Sequence, residues 1–339
     1  MALADTGSPW SLGQRTHGAQ LPPLTLRRGP LGLQERGGRL EISTPHRFLM
    51  ICGRTLVEPG DADDLRRVHA LQDEVRVRVL AGARAARFDP EGLRDVDLDT
   101  CSRADEVREP DGFAPSLARV LRDLDPDAVP AQVRDDLGTC GIAGDAPHVP
   151  TDLAPAVREG LADGVRRIEG RVGALGRLQN GWALNERGPA VGDDLLLRAA
   201  VAMAQIYVNP VEEATYPVAE VDERGEPLDG AQHSYTVSFA ADDPPPAQAF
   251  WSLTVYHRAG LLVENPLGRH AVGDRTPGLR RESDGSLRVE VSADPPPGGV
   301  ANWLPAPRGP FRLMLRLYHP TDVAWSPPPV VRAGSGPAR

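Results

Sequence analysis

Apolar residues recur every three to four positions through the middle of the chain and every second position through its last third. Phe113, Leu117, Val120, Leu121 and Leu124 share one helical face, which predicts an amphipathic helix over 111–124. Residues 127–137 predict a second helix, ended by Gly138. With Thr151 read as the N-cap, Leu153, Val157, Leu161, Val165, Ile168, Val172 and Leu175 sustain a long helix, weakened by Gly160, Gly164 and Gly170. Residues 195–208 are apolar nearly all round and predict a buried helix, capped by Asp193 or Asp194 and stopped before Pro210.

Upstream the pattern is thinner. Residues 1–38 have no apolar period and bury too little to offset their ordering entropy, which predicts a disordered tail. Residues 40–56 predict one or two strands broken at Pro45. Residues 61–80 open with carboxylates suited to a helix N-terminus, place Leu65, Val68, Leu71 and Val75 at helical spacing, and end in a strand-like alternation over 75–79. Residues 81–109 are charged and apolar-poor, a loop or linker.

After Pro210 the period becomes two. Strands are predicted over 216–221, 234–239, 250–256, 286–292 and 311–318. Leu287, Val289 and Val291 alternate with Arg288 and Glu290, and Phe311, Leu313, Leu315 and Leu317 alternate with Arg312 and Arg316. One face of each strand is apolar, and strands that follow helices predict an α+β chain with an antiparallel sandwich.

Composition narrows the function. The 339 residues suffice for two domains. A net charge of −9 without a basic cluster argues against nucleic acid as a partner, and the complete absence of Lys reads as the codon bias of a GC-rich genome. The longest apolar run, 195–208, is interrupted by Arg198 and Gln205 and is shorter than the roughly 20 residues of a spanning helix, so no membrane insertion is expected. The first residues lack the basic start and apolar stretch of a secretory signal, which places the chain as written in the cytoplasm; a start further upstream would make it exported. Cys52, Cys101 and Cys140 are odd in number and widely spaced, so neither disulfides nor a zinc site is expected. No cofactor or metal is expected. The chain has no Gly-x-Ser-x-Gly elbow, no His-Glu-x-x-His and no Gly-Lys-Ser phosphate loop, which removes the commonest hydrolase and nucleotide readings.

An ordered series of short motifs remains. Tyr207-x-Asn209-Pro210-x-Glu212-Glu213-Ala214-x-Tyr216-Pro217, Phe250-Trp251-Ser252-Leu253-Thr254, Asn265-Pro266-Leu267-x-Arg269, Gly273-Asp274-Arg275, Asp284-Gly285-Ser286-Leu287, Asn302-Trp303-Leu304-Pro305-Ala306-Pro307 and Trp325-x-Pro327-Pro328 together resemble the bacterial domain of unknown function 1214. Gly53-Arg54-Thr55-Leu56-Val57 and Val68-His69-Ala70-Leu71-Gln72-Asp73 resemble the end of its companion, domain of unknown function 1254. The resemblance implies jelly-roll-like β-sandwiches joined by helices, often in exported proteins, with no settled activity. Gly268, His270 and Leu195 stand where the family usually has Asn, Tyr and Tyr. The implied layout is a tail at 1–38, a remnant of the companion β-domain at 39–80, a mainly helical connection at 81–192, a C-terminal jelly-roll-like β-sandwich at 193–331 and a tail at 332–339. An incomplete N-terminal domain would leave an apolar face open, which favours a homo-oligomer through that face.

Two functional readings follow. The first is a binding protein for a small molecule or glycan, its cleft lined by Trp251, Arg275, Asn302, Trp303 and Arg316, because indoles stack on flat ligands and arginines take acidic ones. The second is a cofactor-independent hydrolase or lyase using Glu213 and Asp274 as an acid/base pair, which requires the two carboxylates to converge.

Overall fold

The computed structural model describes residues 2–4, 10–18, 22–30, 32–44, 50–58, 60–75, 108–123, 129–142, 147–192, 194–205, 207–258 and 260–333. Over these residues the chain is mixed α+β, with several sheets and six helices. The residues 76–79 read as a strand, most of the 81–109 linker, Cys101 and Asp193 lie outside the described residues.

The N-terminal part carries β1 (Ala2–Ala4), β2 (Trp10–Ser11), α1 (Gln14–His17), β3 (Leu24–Arg28), β4 (Gly32–Arg36), β5 (Arg39–Thr44) and β6 (Met50–Cys52). They form two three-stranded sheets, ordered β2-β1-β6 and β3-β5-β4. Strand structure therefore occurs within residues 1–38, where sequence reasoning expected none. The gain is not intrinsic to the segment: β3 lies parallel to β5 and β4 antiparallel to it, and Leu12 joins Leu40 and Ile42 in a small core. Pairing supplies what the short segments lack in apolar period.

The helices are α2 (Ala62–Asp73), α3 (Pro110–Asp123), α4 (Ala131–Thr139), α5 (Ala154–Val172) and α6 (Leu195–Ala204). Asp61 caps α2 by accepting the Asp63 and Asp64 N–H groups at 2.8 and 3.1 Å. Asp194 caps α6, accepting the Leu197 N–H at 2.8 Å. Thr151 does not cap α5; Leu153 holds that place without a side-chain bond, and Pro155 follows within the first turn. Helix α6 ends before the predicted 208, because Tyr207 takes φ +60° and turns the chain ahead of Asn209 and Pro210. No helix among the described residues is long and apolar enough to cross a membrane.

The C-terminal strands are β7 (Arg177–Gln179), β8 (Trp182–Leu184), β9 (Ala214–Thr215), β10 (Val218–Ala219), β11 (Tyr235–Phe239), β12 (Ala247–His257), β13 (Ala271–Gly273), β14 (Leu287–Ser292), β15 (Trp303–Pro305), β16 (Phe311–Pro320) and β17 (Val331–Arg332). A seven-stranded sheet runs β13-β12-β16-β10-β8-β7, with β9 also on β16; a four-stranded sheet runs β15-β14-β11-β17. All pairs are antiparallel except β14 with β15. Phe311, Leu313, Leu315 and Leu317 of β16 and Val237, Val289 and Val291 of the smaller sheet share one core. Each is at most 4% exposed, and burying such a side chain contributes about 1.5–3 kcal/mol. Gly273 is a steric requirement: a Cβ there would stand 2.1 Å from the Trp251 carbonyl oxygen, so only glycine lets β13 lie against β12.

Candidate functional site

Strict alternation along β12 and β16 sends every second side chain away from the core. Phe250, Ser252, Thr254 and Tyr256 leave β12 on that outer face, and Arg312, Met314, Arg316 and Tyr318 leave β16 beside them. Phe250 and Tyr318 are directly paired, their rings stacked with centroids 4.3 Å apart. Tyr216 meets Tyr318 edge-on at 6.4 Å. Arg275 lays its guanidinium over Phe250 at 4.4 Å, and its Nη2 donates to the Ala249 carbonyl at 3.4 Å. The result is a row of rings flanked by cations.

Arg316 is the centre of this face. Its Nη1 donates to Thr254 Oγ1 at 2.9 Å and its Nη2 to Tyr256 Oη at 2.7 Å, with the guanidinium carbon 5.5 Å from the Tyr256 ring centroid. The side chain is half-buried, yet among the described residues no carboxylate lies within ion-pair distance of it. Neutral hydroxyls satisfy some of its donors but do not offset its charge. Tyr216 adjoins the cluster and packs on the helical core of Leu175, Leu197 and Val201. Burial, with Tyr318 beside it, pushes the Tyr216 hydroxyl up to about 12 against the opposing pull of the Asn209 hydrogen bond and of the Arg54 and Arg316 charges. That hydroxyl stays protonated at neutral pH and accepts a hydrogen bond from Asn209 Nδ2 at 2.5 Å.

The seven residues singled out from sequence are dispersed. Trp251 is buried in the inter-sheet core, tilted against Phe239 at 5.1 Å. Trp303 is 2% exposed, and its Nε1 donates to the Ser292 carbonyl at 3.0 Å, so it is a packed indole rather than a wall. Asn302 ties two loops, accepting the Arg280 N–H at 2.8 Å and donating to the Arg280 and Arg288 carbonyls at 2.6 and 2.8 Å. Only Arg275 and Arg316 reach the outer face together. Glu213 accepts from Arg15 Nε at 2.7 Å beside the end of β16, while Asp274 accepts the Trp251 N–H at 3.0 Å beyond β13. Strands β12 and β16 lie between them, about three strand spacings or ~14 Å of backbone. The structure does not bring this pair together.

Sequence reasoning missed Phe250, Thr254, Tyr256, Tyr318 and Tyr216. A signal existed: Phe250 and Tyr256 share the parity opposite to Trp251, Leu253 and Val255, and Tyr318 shares that of Arg316. Several motif residues instead serve the scaffold. Asn265 Oδ1 accepts the Leu267 and Arg269 N–H groups, and Arg269 Nη1 donates to the Val300, Ala301 and Trp303 carbonyls. Among the described residues no group of three or more His, Cys, Asp or Glu stands where it could hold a metal ion.

Fold and face define an α+β protein whose two C-terminal sheets share one core and whose larger sheet exposes a cationic, aromatic surface. Residues 213–322 match the family described as protein of unknown function (DUF1214). No curated protein matches the sequence. The crystal structure of the VPA0106 protein from Vibrio parahaemolyticus is similar at a TM-score of 0.60 and 20% identity, over 98% of this chain and 81% of that one. A structure of an uncharacterised protein from Burkholderia cenocepacia aligns at a TM-score of 0.29 and 17% identity, over 61% of this chain and 50% of that one.

Proposed function

We propose that the protein binds a small molecule or glycan bearing an anionic group, on the outer face of the seven-stranded sheet. Arg316 takes the anion, Arg275 adds positive charge, and Phe250, Tyr256 and Tyr318 offer ring faces for stacking. One observation carries the reading: Arg316 is half-buried against two neutral hydroxyls, a charge that a carboxylate or phosphate would neutralise. Acid/base catalysis by Glu213 and Asp274 is the weaker reading, since each carboxylate already holds a scaffold partner. In the same reading the two C-terminal sheets form a jelly-roll-like sandwich, and residues 39–80 are related to the companion domain of unknown function 1254. The exposed apolar side chains Ile51 and Leu56 support an N-terminal face through which two copies associate.

A thermal-shift screen of carboxylates, phosphates and acidic sugars, followed by calorimetry on the best binder, tests this. Arg316→Gln removes a charge-assisted contact and should weaken binding roughly tenfold or more. Tyr318→Leu should weaken aromatic ligands selectively. Unchanged affinity in Arg316→Gln removes the site.

A further inference from the structure

A second concavity lies in the helical region, away from the sheet face. Helix α5, helix α3, the turn after α4 and Met203 of α6 line an open groove of about 880 Å³. This lies within the ~300–1,000 Å³ of small-molecule sites. Phe113, Leu117 and Val120 of α3 and Val157, Leu161 and Ile168 of α5 line it. The α5 residues that line it run from Leu153 to Ile168, which at about 1.5 Å per residue makes a channel some ~22 Å long.

Two features say what fits. Gly160 and Gly164 form part of the floor, and nothing stands within 4 Å of a Cβ built on either. These glycines weaken the helix, and among the described residues none uses the space to come closer. They widen the channel instead. The second feature is Arg108, the one charged residue in the lining. Its ion pair is a loose one, 3.9 Å to Glu169, with both side chains more than half exposed. Glu109, next to it in sequence, is engaged by Arg158 at 2.9 Å. Among the described residues Arg108 makes no hydrogen bond, so its planar fork of N–H donors is open to a carboxylate. A long, open apolar groove with one cation at its rim matches one aliphatic chain with one anionic head.

We infer that the channel binds a long-chain fatty acid, its chain along α5 over Gly160 and Gly164 and its carboxylate on Arg108. Calorimetry on the delipidated full chain with saturated fatty acids of eight to eighteen carbons tests this. Affinity should rise about fourfold for each added methylene until the channel is filled, then level off. Arg108→Gln should weaken a fatty acid roughly tenfold while leaving the fatty alcohol of equal length unchanged. A Gly160→Leu and Gly164→Leu double variant fills the floor with side chains that favour helix, and should abolish binding with the far-UV circular dichroism preserved. Should that variant fail to fold, the length series and Arg108→Gln still decide. Affinity independent of chain length, or equal loss of acid and alcohol in Arg108→Gln, overturns the inference. So does a wild-type dimer, seen by sedimentation, that Gly160→Leu dissociates, since a second copy would then occupy the channel.

Discussion

Asp222 offers a quantitative test of how the C-terminal edge is held. Its carboxylate is fully buried and accepts the N–H groups of Arg224 and Glu226 at 2.9 and 3.0 Å, together with Nε of Arg332 on β17. Burial alone raises its pKa; the two amides and the guanidinium outweigh that and hold the carboxyl below its ordinary value. Asp222→Ala leaves two amides and Arg332 without their shared acceptor and should cost about 3 kcal/mol or more in urea unfolding at pH 7. Asp222→Asn keeps a carbonyl for the amides and loses the charge, so about half that cost is expected. The pH dependence follows from the direction of the shift. A carboxylate with a depressed folded pKa adds stability that is complete above its unfolded pKa of about 4 and fades as pH falls through the folded value. The gap between wild type and Asp222→Asn should therefore stay constant from pH 7 to 5 and close below about pH 4. A gap that does not narrow as pH falls below about 4, or an alanine variant costing under about 1 kcal/mol, refutes this account.

Two further stability changes are expected. Leu315→Ala removes a side chain with no exposed surface from the inter-sheet core and should cost about 2–5 kcal/mol in the same assay; a smaller loss means that β16 repacks. Gly273→Ala drives a Cβ into the Trp251 carbonyl and should cost about 2–4 kcal/mol, with hydrogen exchange rising along Ser252–Thr254 where β13 pairs; unchanged exchange there contradicts the steric reading.

The helices were legible because each signal is local. Asp61 and Asp194 cap the turns that directly follow them, and the stripe from Leu153 to Ile168 needs only the 3.6-residue period. The face of each late strand was legible for the same reason: Phe311, Leu313, Leu315 and Leu317 all turn inward as alternation requires. Register was not legible. Arg316 meets Thr254 and Tyr256 across about 60 residues of chain, and a slip of two residues would keep every parity while changing every partner. Trp303 misled because an indole that could stack on a flat ligand looks the same in sequence as one packed in the core; parallel pairing of β15 with β14 buries it beside the Ser292 carbonyl it needs. The short N-terminal strands were invisible because β3 and β4 depend on β5 for partners.

Chain order through the two C-terminal sheets has a kinetic consequence. The path enters the smaller sheet at β11, crosses to β12 and β13, returns to β14 and β15, crosses again to β16 and ends at β17. Neither sheet can be finished before the other is begun, and the central partners β12 and β16 meet only after the chain between them has been placed. Such non-local pairing raises the loop-closure entropy of the transition state and slows folding relative to the helices upstream. It also makes Arg177–Arg332 one cooperative unit, so a fragment ending at any loop between β11 and β16 leaves both sheets incomplete.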